Sequence, residues 1–360
     1  MENRSVRTWT WSAVLVAIAT FASFATAKAA RPAPNAYLVN NLVSDGTIPA
    51  EHSDANLVNA WGIAHSSSSP WWVADNETAV STLYNGAGTP QTLVVNVPGA
   101  PTGMVFNGSS HFVITNGTVS APAIFLFASE DGTISGWNPG VPPPPLSKQA
   151  FVGATSPDDG DYKGLAIAST ASGDFLYAAD FHNARVDVWD GTFKLVTPPG
   201  AFIDPRIPSG FAPFGIQNLQ GRIYVAYAKQ DEEAEDEITG PGLGYVSVFD
   251  TAGVFLARVA SGDPLNAPWG LAVAPAGFGR FSGNLLVGNF GDGRINAYDL
   301  ATFEPRGHLK RPDHKPIAID GLWGIGFGNG AAAGPQTTLF FAAGPEDETR
   351  GLFGSITPQQ

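Results

Sequence analysis

Apolar residues recur along the chain in short runs bounded by Gly, Asn and Asp, and many of these runs alternate apolar and polar positions with a period of two. Arg185-Val186-Asp187-Val188-Trp189-Asp190 is one example; Tyr245-Val246-Ser247-Val248-Phe249-Asp250 and Arg294-Ile295-Asn296-Ala297-Tyr298-Asp299 are its relatives. Period-two alternation with such boundaries predicts β-strands, because successive side chains of a strand point to opposite faces. A second motif, a residue followed by Gly and a short apolar strand, restarts six times. It occurs as Trp61-Gly62-Ile63-Ala64, Thr102-Gly103-Met104-Val105, Lys163-Gly164-Leu165-Ala166, Phe214-Gly215-Ile216, Trp269-Gly270-Leu271-Ala272 and Trp323-Gly324-Ile325-Gly326. After each motif a second strand is expected, at Trp72 to Asn76, Phe112 to Asn116, Phe175 to Asp180, Ile223 to Ala228, Leu285 to Asn289 and Leu339 to Ala343.

The six glycines lie 41, 61, 51, 55 and 54 residues apart, close to the roughly 40–50 residues of a four-stranded propeller blade. The expected fold is all-β: a six-bladed β-propeller. Two β-sandwich domains are the alternative, but a sandwich has no reason to restart with the same strand six times. Inner strands converge on a central channel, and a missing Cβ lets their backbones approach closely. The last repeat offers only three strands, ending near Ile356. Tyr37 to Val43 is expected to supply its outer strand, closing the ring and covering an exposed edge.

Residues 1–30 read as a secretory signal. Arg4 and Arg7 form a basic start, Trp9 to Ala25 carries no charge, and Ala25-Thr26-Ala27 and Ala27-Lys28-Ala29 are both A-x-A cleavage sites. An uncleaved anchor needs about 17–25 apolar residues, and Thr10, Ser12, Thr20 and Ser23 dilute this stretch. The expectation is a secreted propeller domain over residues 31–360, with no membrane span after cleavage. The formal charge of −13 becomes −15 once those residues are removed. Such an acidic balance excludes a nucleic-acid binder, which needs clustered Lys and Arg. Zero Cys excludes disulfides and thiolate chemistry.

In an up-and-down blade the connection into the inner strand and the loop after the second strand open on the same face. That expectation gathers Asn59, Trp61, Lys163, Trp269, Asp320 and Trp323 with Asp75, Asn76, Asn116, Asp180, His182, Asn183, Asn289 and Asp292. Trp61, Asp75, Asn76, Trp269, Asp292, Asp320 and Trp323 are candidate ligand-binding residues, although the three Trp residues also suit a packing role. Ca²⁺ takes about 6–8 oxygen ligands, so Asn116, Asp180 and Asn289 are candidate metal ligands. Lys163 and His182 are candidate catalytic groups. Lys163 replaces an aromatic at an inner-strand start, so it needs an acid such as Asp161 or Asp180. Asp231 to Glu237 places six carboxylates in seven residues, which reads as a solvated loop. The basic stretch Arg306 to Lys315 reads the same way, and Pro142 to Pro145 as extended polyproline. No G-x-S-x-G elbow and no H-E-x-x-H is present.

Asn56-Leu57-Val58-Asn59-Ala60-Trp61-Gly62-Ile63, Trp72-Val73-Ala74-Asp75-Asn76, Ser81-Thr82-Leu83-Tyr84, Glu130-Asp131-Gly132-Thr133-Ile134-Ser135-Gly136-Trp137-Asn138 and Tyr162-Lys163-Gly164-Leu165-Ala166 resemble a family of secreted bacterial proteins. Many of its members carry a C-terminal PEP-CTERM sorting signal, which the ending Ser355-Ile356-Thr357-Pro358-Gln359-Gln360 lacks. The resemblance implies an NHL-like or YVTN-like propeller and no particular activity. The expected function is binding of a small molecule, polysaccharide or protein partner at the channel mouth, without covalent chemistry. The alternative is a divalent-metal-dependent hydrolase or lactonase using an Asp/Asn-lined central site.

Overall fold

Six sheets, each starting from one of the six Gly motifs, make up the architecture of the computed structural model, which describes residues 1–2, 5–9, 33–142 and 146–359. The signal-like segment falls outside these residues except for positions 1, 2 and 5–9, and Pro143 to Pro145 fall outside them as well. No α-helix occurs among the described residues, and none is therefore long and apolar enough to cross a membrane. The inner strands of blades 1 to 6 are Ala60–Ala64, Pro101–Phe106, Tyr162–Thr170, Phe211–Leu219, Pro268–Val273 and Leu322–Phe327. Each pairs antiparallel with its second strand, and five of the six sheets continue to a fourth strand, blade 3 alone stopping at three. Apolar clusters between neighbouring sheets form the core, so that each blade is covered on both faces.

The glycine ring explains why the motif repeats. A Cβ on Gly62 would come within 2.5 Å of the Thr102 carbonyl oxygen, and one on Gly164 within 2.8 Å of that of Phe214. A Cβ on Gly270 would meet the Trp323 oxygen at 2.6 Å, and on Gly324 the Trp61 oxygen, also at 2.6 Å. Gly103 and Gly215 face the backbones of Gly164–Leu165 and Trp269 in the same way. Every inner strand thus rests on the next, and the sixth rests on the first. Each such contact tolerates only Gly, because a side chain would overlap backbone that has nowhere to retreat.

Blade 6 consists of Leu322–Phe327, Leu339–Ala343, Leu352–Pro358 and, outside them, Tyr37–Ser44 from the other end of the chain. Tyr37–Ser44 runs antiparallel to Leu352–Pro358, with Val39 opposite Ile356. Tyr37 is fully buried, donates its hydroxyl to the Phe278 carbonyl at 3.0 Å and lies beside the Phe278 and Phe281 rings of blade 5.

Blade 2 departs from expectation. Its second strand is Phe125–Ser129, and Val113–Thr115 pairs instead with Ser120–Pro122 as a separate hairpin. The physical reason is visible in the burial. Phe125–Ser129 is covered on both faces and reads as a continuous apolar run, whereas the hairpin alternates buried and exposed and mimics a blade strand.

Candidate functional site

The residues preceding the six glycines point toward the axis. Phe214, Trp61, Trp269 and Trp323 gather there into an aromatic plug, extended by Phe181 and Phe290. The Trp61 and Trp323 rings stack with centroids 3.5 Å apart, and Trp269 stands edge-on to both. Each aromatic pair contributes on the order of 0.5–1.5 kcal/mol beyond its area burial. The plug blocks the channel beneath the N-terminal ends of the inner strands. Trp61 and Trp323 are buried inside it, so they pack rather than present a surface to a ligand at this mouth, which corrects their expected placement. Trp269 lines the constriction below the plug, on the opposite side.

Of the two non-aromatic residues at these positions, Thr102 and Lys163, Lys163 carries a charge. Its Nζ lies 5.7 Å from the centre of the Trp61 ring, and the side chain is only 4 % exposed. The ammonium is 2.6 Å from Glu130 Oε1, 3.1 Å from Asp161 Oδ2 and 4.0 Å from Asp236 Oδ1. Burial alone would depress its pKa, but Glu130 and Asp161 hold it above the ordinary lysine value. Burial pushes the Asp161 carboxyl up to about 7, with Glu130 adding to the rise and Lys163 opposing it. Its Oδ1 is buried without a hydrogen-bond partner among the described residues.

A polar chain runs from Lys163 around the mouth. Glu130 Oε2 accepts from Asn76 Nδ2 at 3.0 Å, Asn76 Oδ1 accepts from Asn59 Nδ2 at 3.3 Å, and that same Nδ2 donates to Glu348 Oε2 at 2.6 Å. Asn59 Oδ1 accepts from Trp323 Nε1 at 3.1 Å, and the Lys163 carbonyl accepts from Trp269 Nε1 at 2.9 Å. All six blades therefore contribute: blade 1 the two asparagines, blades 2 and 3 the acid–lysine cluster, blade 5 the indole beneath. Blade 6 supplies Glu348.

Blade 4 supplies the acidic loop. Glu237–Ile238 turns back and pairs with the second strand Arg222–Gln230, which holds the Asp231 to Glu237 segment over Lys163. Asp231 stabilises the turn by accepting from the Glu235 N–H at 3.0 Å. Burial, together with repulsion from Glu348, pushes Glu237 up to about 8. Burial likewise raises Glu348, although its bond from Asn59 pulls the other way. The resulting basin, about 430 Å³, is lined by Glu130, Asp131, Asp161, Lys163, His182, Glu235 and Asp236, among others. His182 thus does reach the basin, half-buried at its wall.

The other expected residues are scattered. Asn116 sits in the exposed turn of the extra hairpin of blade 2, where its Oδ1 caps the Thr118 and Val119 N–H groups at 3.0 and 2.8 Å. Asp180 is fully buried in blade 3, accepting from Asn183 and lying 3.4 Å from Arg185 Nε; burial raises its carboxyl. Asn289 is buried in blade 5 and donates to Pro264 and Asp292 at 2.9 and 3.0 Å. These three belong to blades 2, 3 and 5 and each is engaged by its own neighbours, and no group of three or more His, Cys, Asp or Glu that could hold a metal ion occurs among the described residues. Asp75 is buried within blade 1, accepting from the Thr82 N–H, and burial holds its carboxyl well above the usual range. Asp292 organises the turn before Arg294, and Asp320 is exposed and accepts from the Glu346 N–H at 3.0 Å. Of the non-aromatic ligand candidates, only Asn76 joins the polar cluster around Lys163.

Comparison with known proteins places this geometry among propellers. "Uncharacterized protein R648" of Acanthamoeba polyphaga mimivirus is 35 % identical over 349 residues, covering 92 % of this chain and 82 % of that protein. "Uncharacterized protein L690" of the same virus is 34 % identical over 352 residues, covering 92 % and 88 %. The chain belongs to their family. These relatives are viral, and they lend no support to the resemblance to bacterial proteins with sorting signals. No family model matches the chain. Among solved structures, the soluble aldose sugar dehydrogenase from Escherichia coli in its apo form superposes with a TM-score of 0.52. It is 10 % identical, and the match covers 90 % of this chain and 100 % of that one. At that identity the likeness shows the β-propeller fold alone.

Proposed function

We propose that this family member is a secreted binding propeller that receives an ammonium-bearing ligand at the acidic mouth and performs no covalent chemistry on it. One observation carries the reading: Glu130, Asp161 and Asp236 all lie within 4.0 Å of a single buried Lys163. One lysine cannot neutralise three carboxylates, and Glu237 and Glu348 stand in the same neighbourhood. A concave, like-charged basin with low-dielectric walls focuses its field and concentrates counter-ions. Lys163 keeps the carboxylates together without cancelling them, Asn59 and Asn76 fix the outer oxygens, and Asp161 Oδ1 supplies a free acceptor in the wall. An incoming ammonium would take the place of the missing positive charge and donate to those oxygens.

The experiment is calorimetric titration of the protein with spermidine and, separately, with citrate. Saturable heat from spermidine, weakening as salt rises from roughly 20 to 200 mM, is the expected result. Binding of citrate, or of neither, would remove the proposal. The hydrolase alternative has less support, because among the described residues no group of three or more His, Cys, Asp or Glu is placed to hold a metal ion.

A further inference from the structure

The opposite end of the channel is a different chemical environment. At the C-terminal ends of the six inner strands lies a second cavity, about 470 Å³, with contributions from every blade. It narrows inward along Ile63, Met104, Leu271 and Ile325 and ends at Trp269, the lower side of the aromatic plug. The space is blind, its walls are predominantly aliphatic, and no Asp, Glu, Lys or Arg lines it. His65 at the rim has both ring nitrogens on backbone carbonyls, those of Ser66 and Phe327, each at 2.8 Å.

Four polar side chains, His65, Gln217, Asn218 and Gln220, join the wall, and of these only Gln217 also lines the narrow part. Two places after each ring glycine the chain carries Ala64, Val105, Ala166, Ala272 and Gly326 in five blades, but Gln217 in blade 4. Small residues there leave the channel open, and Gln217 alone extends a long side chain along it, lining both the wide and the narrow part. Among the described residues its amide has no hydrogen-bond partner, whereas the neighbouring Asn218 donates to the Ile167 carbonyl at 2.8 Å. Ligand pockets typically measure about 300–1,000 Å³ and combine apolar walls with a few placed polar groups.

We propose that this channel is a binding site for an uncharged, largely apolar small molecule that carries one hydrogen-bonding group matched to the Gln217 amide. Charge would be desolvated against aliphatic walls without compensation, which excludes ionic ligands. The site is independent of the acidic mouth, because the plug separates them.

The test is a fluorescence titration of the protein with N-phenyl-1-naphthylamine, a neutral apolar probe with a single N–H. Saturable, blue-shifted binding of one probe per chain is expected. Ala64→Phe, which fills the cavity, should abolish saturation, and Gln217→Leu, which keeps volume but removes the amide, should weaken it roughly two- to tenfold. Thermal melts of both variants confirm that they fold, and Gln217→Leu alone decides the matter if Ala64→Phe does not. Absence of saturable binding, an affinity unchanged in Gln217→Leu, or displacement of the probe by spermidine would overturn the proposal.

Discussion

The Gly324 backbone in the last blade lies against the carbonyl of Trp61 in the first, so close that a Cβ would come within 2.6 Å of that oxygen. This contact is the seam of the ring. Gly324→Ala is expected to destabilise the protein by roughly 1–3 kcal/mol, the usual cost of overpacking a site that cannot yield. Urea unfolding of the variant beside the wild type measures it, and an unchanged midpoint would mean that the inner strands can separate freely.

The outer strand of blade 6 makes a second seam. Tyr37 is fully buried and hydrogen-bonded to Phe278. Tyr37→Ala should therefore cost about 3–5 kcal/mol, the range for deleting a buried ring. Deleting residues 37–43 should lower the melting temperature further, since it bares the edge of Leu352–Pro358. A truncated chain melting with the wild type would show that the pairing contributes nothing.

Lys163 holds carboxylates that would repel one another without it. Removing one partner of a buried ion pair costs roughly 3–5 kcal/mol, and Glu130, whose side chain is 31 % exposed, places Lys163→Met toward the lower end. Adding Glu130→Gln to Lys163→Met should restore part of the loss. Both effects are read from chemical denaturation at pH 7.5, and a double variant no more stable than the single would contradict the pairing.

Stability should also depend on pH in a stated direction. Asp161 and Glu237 have folded-state values of about 7 and about 8, above those of the unfolded chain. The folded state therefore binds these protons more tightly, and stability falls as pH rises through the window from about 4 to about 8. The melting temperature should be higher at pH 6 than at pH 8.5, and Glu237→Gln should flatten that difference. A wild-type melting temperature that rises over this interval would reverse the assignment.

Much of the fold was legible in the chain because the glycine positions answer to a backbone contact that admits no substitute. The second strand of blade 2 was not legible: Phe125–Ser129 is apolar throughout, and the alternating hairpin at Val113–Thr115 looked more like a blade strand. Within the site, Lys163 stood out as a cation where an aromatic belongs, and its pairing with Asp161 follows from adjacency along the strand. Glu130 and Glu348 carried no such signal, since loops of blades 2 and 6 bring them in from distant sequence. The acidic loop did carry one. Asp231 to Glu237 follows the second strand of blade 4 and so opens on the same face as Lys163, although composition alone makes it resemble a solvated turn. Asn116, Asp180 and Asn289 carry side-chain oxygens suited to metal, yet turns and blade interiors use the same side chains for hydrogen bonds to backbone.

The surplus of negative charge around Lys163 is tested most directly by comparing spermidine affinity, by calorimetry at pH 7.5 and low salt, between the wild type and the triple variant Glu130→Gln, Asp236→Asn, Glu348→Gln. Saturable binding to the wild type that weakens at least roughly tenfold in a folded triple variant, about 1.4 kcal/mol, is the predicted result. Equal affinity in the two proteins would contradict the account.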